Sequence, residues 1–346
     1  AGVITAAGLV DRADYVPVHD ATVVARMREA GAILLGKTNC PEGGGGNFTN
    51  NDDYGQTNNP YDLARTPGGS SGGEAAIQAA GGSPVGIGSD SGGSIRVPAH
   101  LCGIAGLKPT SGRVPCTGGF ELPGGLVDTR TQIGPMSRFV CDLGPTLAII
   151  AGVDETDSAV VPMPLGDPSA VTLSELRLAF YTDDGLLAPT AETVATVQAT
   201  AQVLAEAGLA VDERTPPVIR DARSITERYW HSDAPGVTGR DVLRLMLDWN
   251  RFRSSMLKFM GDYDLLLCPA AAGPAPLQGT PDEILSHYTL PFSLTGWPCV
   301  VVRAGTSPEG LPIGVQVAAR PWREDVALAV ALEIETALGG WKPPAL

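Results

Sequence analysis

Two glycine turns carry the serines that could do chemistry. Ser70 and Ser71 sit in Gly68-Gly69-Ser70-Ser71-Gly72-Gly73, and Ser94 closes Ser91-Gly92-Gly93-Ser94, 24 residues downstream of Ser70. A nucleophilic serine needs a proton acceptor and N–H groups aimed at the oxyanion that develops on attack. Two adjacent glycines suit the second task, because backbone without side chains lets successive N–H groups face one point and lets a carbonyl come close. Ser70 could relay a proton if the two turns meet. Taken singly, each turn reads as an ordinary tight loop.

Two other patterns compete. Gly68 to Gly72 satisfies G-x-S-x-G, but a nucleophile elbow must follow a buried strand. What precedes it, Asn58–Arg65 with Pro60 and Pro67, reads as loop. His287, the base that such a hydrolase would need, lies in a polar stretch that reads as surface or loop. Gly31 to Thr38 matches GxxxxGK[ST], yet a phosphate loop needs a strand before its glycines. Here a helix precedes them and Ala32–Leu35 itself reads as a short buried strand. Lys37 is then an ordinary polar residue at a strand end.

The elements around the turns alternate. Asp20–Ala30 is expected as a helix with Asp20 as N-cap and Gly31 as stop. Asn50–Pro67 reads as an irregular loop, Gly73–Ala80 as a helix of small residues, and Val85–Ile87 as a strand. Further on, Leu176–Tyr181, Asp264–Cys268, Val300–Ala304 and Ile313–Ala318 are strand candidates. Thr190–Ala207, the amphipathic Asp241–Met260 and Asp325–Leu338 are helix candidates. Strands and helices alternating without repeats indicate an α/β layered architecture. With no Gly/Ser linker in view, 1–346 is expected to be a single domain with a helical elaboration at about 184–262.

Composition excludes several classes. The 346 residues carry 24 Lys+Arg against 38 Asp+Glu, a net charge of −14, with no basic cluster. Nucleic acid and anionic membrane both demand a basic face, so neither is expected as a partner. No apolar run approaches the roughly 20 residues of a membrane span. Of 43 glycines, 15 fall between Gly68 and Gly119. Cys40, Cys102, Cys116, Cys141, Cys268 and Cys299 show no metal-binding spacing and read as buried free thiols of a reducing compartment, so a cytoplasmic location is expected.

The run Gly68–Arg113 (GGSSGGEAAIQAAGGSPVGIGSDSGGSIRVPAHLCGIAGLKPTSGR) closely resembles the amidase signature family, and the likeness extends over nearly the whole chain. Gly36-Lys37-Thr38-Asn39, Asn59-Pro60, Tyr263-Asp264 and Leu311–Gln316 fit it too. The resemblance implies a mixed central β-sheet covered by helices on both faces, and hydrolysis of carboxylic amides with no cofactor and no metal. It implies a Ser–cis-Ser–Lys triad in which Ser94 is the nucleophile. Ser70, joined to Gly69 by a cis peptide, is the bridging serine. The N–H groups of Ser91, Gly92, Gly93 and Ser94 form the oxyanion hole. Ser71 is structural, and Asp90 and Arg96 hold the loop in shape.

The family's lysine lies in a hydrophobic-Lys-Asp motif upstream of the segment that Ala1–Gly8 resembles. No such motif occurs in these residues, so the natural chain is expected to begin several dozen residues earlier. By position Glu42–Asn47 resembles a family segment opposite the oxyanion hole, and Gly43, Gly44 and Gly45 would leave room for a bulky or flat group. Trp230, His231, Trp249, Phe252, His287, Tyr288 and Trp297 could add apolar walls. The expected partner is a small-molecule amide, aryl or aliphatic, with a homodimer as the one assembly allowed for. The alternatives are the glutaminase subunit of a tRNA-dependent amidotransferase and a non-catalytic scaffold of the same fold.

Overall fold

Short runs of branched apolar residues bounded by aspartate, proline or glycine cannot complete a helix, and here they become strands. The computed structural model describes residues 1–119, 130–280 and 285–345. Its strands are β1 (Asn50–Asn51), β2 (Gly55–Gln56), β3 (Val85–Asp90), β4 (Ala105–Lys108), β5 (Gln132–Ser137), β6 (Arg177–Phe180), β7 (Ala210–Glu213), β8 (Leu265–Pro269), β9 (Cys299–Thr306) and β10 (Pro312–Ala319). Its helices are α1 (Thr22–Glu29), α2 (Gly72–Ala79), α3 (Arg96–Leu101), α4 (Leu143–Ile150), α5 (Ala191–Glu206), α6 (Asp221–Trp230), α7 (Gly239–Phe259), α8 (Leu290–Thr295) and α9 (Glu324–Leu338).

Among the described residues, eight strands form one mixed sheet in the order β3-β5-β4-β9-β10-β8-β6-β7. Pairing is antiparallel from β3 to β8, then parallel through β6 to β7. Side chains of successive strand residues point to opposite faces, so each central strand feeds two cores. Leu265, Leu267, Val300, Val302, Val315 and Val317 pack with α4, α5 and α9. Leu266, Cys268, Cys299 and Ala318 pack on the other face with α6, α7 and α8, and Val301 packs there with α2 and α3. Both faces are covered, which explains why β8 and β10 are buried along their whole length. The α/β class and the helix-covered mixed sheet are as expected.

The elaboration after residue 184 is not purely helical. β7 lies within it and joins the sheet edge in parallel with β6, by way of α5. Its longest helix, α7, starts at a capping box in which the Thr238 hydroxyl accepts from Asp241 N–H and the Asp241 carboxylate accepts from Thr238 N–H.

Four expectations need correction. Ala32–Leu35 is not a buried strand: Ile33 and Leu35 are 85% and 70% exposed, and among the described residues no strand pairs with them. An apolar run becomes a strand only where a ladder takes up its N–H and C=O groups. Asp20 does not cap α1; its carboxylate is held by the Ala1 ammonium and Arg28, and Ala21 stands at the cap. His287 is buried rather than superficial. Cys102, Cys116, Cys268 and Cys299 are buried thiols, whereas Cys40 is half-buried and Cys141 exposed.

Candidate active site

The site begins where β3 runs out. Asp90, its last residue, and Arg96, the first of α3, are both fully buried and form a two-pronged ion pair, Nε to Oδ2 at 2.9 Å and Nη2 to Oδ1 at 2.8 Å. Asp90 Oδ2 also accepts from the Ile95 N–H at 3.1 Å. Burial would push this carboxyl up, but the Arg96 guanidinium more than offsets it and holds Asp90 below the ordinary carboxylate range. The remaining Arg96 hydrogens reach the Thr289 carbonyl, Gln316 Oε1 and Ser293 Oγ, each at 2.8 Å. Every face of the guanidinium that could seek water has a partner, as a charge this deep requires. The five residues between Asp90 and Arg96 are thereby drawn into a tight turn.

Within that turn, among the described residues, the N–H groups of Ser91, Gly92, Gly93 and Ser94 donate to no carbonyl or side chain. Gly93 has φ +138°, and a Cβ there would overlap the Thr289 hydroxyl, so both conformation and space demand glycine. A Cβ on Gly92 would lie 3.2 Å from Trp230 Cζ2 and 3.7 Å from Leu290 Cδ2. Trp230 is 48% exposed, and the buried Arg130 guanidinium stacks 3.8 Å over Tyr229 and 5.7 Å from Trp230. An aromatic wall therefore stands beside the turn. Ser91 Oγ is hydrogen-bonded to Thr131 Oγ1.

The second serine turn meets the first. The Ser71 N–H donates to the Ser94 carbonyl at 3.1 Å, and Ser71 Oγ bridges the Ser89 N–H and C=O at 3.3 Å each. Ser71 thus fastens the start of α2 to the end of β3, which is a structural role. The peptide Gly69–Ser70 is cis. Ser70 is buried and Ser94 half-buried. Among the described residues no hydrogen bond joins the two hydroxyls; the contact between the turns is made by backbone and by Ser71.

The Glu42–Asn47 segment lies against this pair. A Cβ on Gly44 would stand 4.0 Å from Ser70 Oγ, and one on Gly69 would meet Gly46 O and Asn47 C at 2.9 Å. Gly43, Gly44 and Gly46 all have φ between +58° and +96°. Gly43 and Gly44 have no atom closer than 4.0 Å to an added Cβ, so the space beside Ser70 is open.

Other candidates fall away from the serines' loops. Lys37 lies on the exposed 31–38 segment, its Nζ donating to Thr5 Oγ1 at 3.2 Å. Among the described residues no helix starts at Thr38 and no strand leads into Gly31, so the phosphate-loop geometry is absent there. His287 Nε2 is paired with Asp184 Oδ2 at 2.6 Å. Trp249, Phe252, Tyr288 and Trp297 belong to the core under α7 and α8, and His231 bonds the Glu227 carbonyl. Of the proposed walls, Trp230 alone is shown against the turn. Among the described residues no cluster of His, Cys, Asp and Glu could hold a metal, and no helix is long and apolar enough to cross a membrane.

Sequence reasoning missed Thr289, Thr131 and Arg130. Thr289 lies 193 residues from Arg96, whose guanidinium it receives, and nothing in Tyr-Thr-Leu-Pro signals such a role. It missed as well Lys108 on β4, fully buried, with Nζ donating to Pro109 O at 2.9 Å. Burial pushes this ammonium down to about 8. Its place in Gly-Leu-Lys-Pro, after a buried-type Ile-Ala, was a usable hint.

Comparison with known proteins fits this geometry. The family model "Amidase" matches residues 1–247 and 239–328. The chain is 35% identical to a glutamyl-tRNA(Gln) amidotransferase subunit of Roseiflexus sp. (strain RS-1), over 92% of this chain and 76% of that protein. It is 33% identical to an acylamidase of Rhodococcus erythropolis, over 96% and 78%. Among solved structures, 6-aminohexanoate cyclic dimer hydrolase complexed with substrate superposes with a TM-score of 0.87 at 30% identity, covering 99% of this chain and 84% of that one. The turns, the sheet that carries them and these likenesses agree: the chain belongs to the amidase family.

Proposed function

We propose that this protein hydrolyses a carboxylic amide to an acid and an amine through an acyl-enzyme on Ser94. Ser94 Oγ attacks the carbonyl carbon, and its proton passes by way of Ser70 to a basic group. The oxyanion is received by the N–H groups of Ser91, Gly92, Gly93 and Ser94. As the C–N bond breaks, the proton returns to the leaving nitrogen. Water then attacks the ester, giving its proton to the same relay, and Ser94 is released with the acid. The observation that carries this reading is the row of N–H groups without an acceptor, among the described residues, in the turn that ends at Ser94. The Ser71–Ser94 bond ties that turn to the one that holds Ser70.

The basic group is proposed to be a lysine upstream of Ala1, completing a Ser–cis-Ser–Lys triad. An aryl or aliphatic acylamide is the proposed substrate. Trp230 beside Gly92 supports a flat group there, and the open glycines Gly43, Gly44 and Gly45 beside Ser70 support bulk on the other side. Similarity to an acylamidase and to a cyclic-dimer hydrolase supports the same choice. A small-molecule partner in the cytoplasm, on a homodimer or a single chain, accords with it. Similarity to the tRNA-dependent amidotransferase favours glutamine as the competing substrate.

The test uses the chain extended upstream along its natural reading frame, assayed on aryl acylamides, aliphatic amides and glutamine. Ser94→Ala should lower turnover by at least about 100-fold. Retention of most activity by Ser94→Ala would refute the assignment. Equal activity of the 346-residue chain and its extension would dispose of the upstream lysine, and turnover confined to glutamine would favour the competing substrate.

A further inference from the structure

We infer that Thr289 is a positioning residue of the oxyanion hole: its hydroxyl holds the Gly92–Gly93 peptide in the one orientation that turns the Gly93 N–H toward the substrate. This rests on the amidase reading above. Thr289 Oγ1 donates to the Gly92 carbonyl at 2.5 Å and lies 2.6 Å from the Ser286 carbonyl. A hydroxyl has one hydrogen, so the two acceptors share it. They differ in need. Ser286 C=O already accepts the N–H groups of Thr289 and Leu290 at 3.0 and 3.2 Å. Gly92 C=O has no other donor among the described residues.

In a trans peptide the C=O and N–H point in opposite directions. A donor on the Gly92 carbonyl therefore aims the Gly93 N–H away from Thr289, to the other side of the turn. A carbonyl that accepts a hydrogen bond also polarises its own amide and makes its N–H a stronger donor. The flanking residues are both glycine, so no side chain of their own opposes rotation of this peptide plane. Thr289 is itself immobilised: it is fully buried, and its carbonyl receives Arg96 Nη1 at 2.8 Å. One residue, remote in sequence, thus secures the turn twice, through its carbonyl to Arg96 and through its hydroxyl to Gly92.

The experiment compares Thr289→Val, which keeps the branched shape, with Thr289→Ser, which keeps the hydroxyl, in the upstream-extended protein. Expected for Thr289→Val is a fall in kcat of about 10-fold or more with KM within about 2-fold. Affinity for an aryl trifluoromethyl ketone, whose serine adduct carries an oxyanion, should weaken in parallel with kcat/KM. Thr289→Ser should stay within about 3-fold of the parent. If Thr289→Val does not fold, the Thr289→Ser and Thr289→Ala pair makes the same comparison of hydroxyl against none. Unchanged kcat in the hydroxyl-free variant, or equal losses with and without the hydroxyl, would overturn the inference while Ser94→Ala still abolished turnover. An active Ser94→Ala would remove the amidase reading and this inference with it.

Discussion

Two glycine segments border the same serines and are glycine for different reasons. In Ser91–Ser94 the chain is confined: Gly93 combines a positive φ with a Cβ position already filled by Thr289, and Asp90, Arg96 and Thr289 hold the turn from three sides. In Glu42–Asn47 the space beside Gly43, Gly44 and Gly45 is open, and at Gly45, with φ −87°, even the conformation is one any residue adopts. On the mechanism proposed above, the first segment supplies rigidity where charge develops, and the second supplies empty volume for the substrate. Glycine content alone does not separate the two.

The contrast can be broken at its strongest point. Asp90→Asn leaves the Arg96 guanidinium buried without its counter-charge, which typically costs about 3–5 kcal/mol. Urea denaturation should show a loss of that size together with loss of activity; a change below about 1 kcal/mol would mean the turn does not depend on the pair. Gly93→Ala should cost about 2–3 kcal/mol, from the unfavourable φ and the overlap with Thr289. Its turnover should fall further than that loss of stability explains. Wild-type kcat in this variant would show that the turn has slack.

Lys108 tests the confined side through pH. In the unfolded chain its ammonium titrates near 10.5, and in the fold burial lowers this to about 8. Between about pH 8 and 10.5 the unfolded chain therefore holds a proton that the folded chain has released, so the site's contribution to stability rises with pH across that window. Lys108→Met has no such term. The difference in urea midpoint, wild type minus variant, should grow in favour of wild type from about pH 7.5 to about pH 10; a constant difference would refute the shift. The smallest effect belongs to the open side, at Gly45. Gly45→Ala meets only the Glu42 carbonyl, at 3.6 Å, and should change stability by no more than about 0.5–1 kcal/mol, in either direction. Its kcat/KM should drop for bulky amides more than for acetamide, and a uniform drop would argue that Gly45 does not border the substrate.

Much of the architecture was legible because the informative segments are long or strongly periodic. α5, α7, α9 and strands β6, β8, β9 and β10 lie within a residue or two of their expected bounds. β4 and β5 have no comparable signal. Gln-Ile-Gly-Pro-Met-Ser shows neither alternation nor a run of branched residues, and its Gly134 is required because a Cβ would overlap the Leu107 carbonyl of the neighbouring strand. That requirement exists only once the strands are paired. Ala32–Leu35 failed in the opposite sense: its composition is that of a strand, but composition supplies no pairing neighbour. At the site, the serines and glycines were readable from local motif, whereas Thr289, Gln316 and Ser293 were not. Their relation to Arg96 is created by folding.

The last of those relations has a bearing on biosynthesis. Arg96 waits for Gln316, 220 positions later. At the roughly 5–20 residues per second of translation, that interval is on the order of 10 to 45 seconds. Throughout it the nascent chain carries Arg96 without its Gln316 acceptor, so the charge buried beside the serine turn is fully satisfied only after residue 316 has been made.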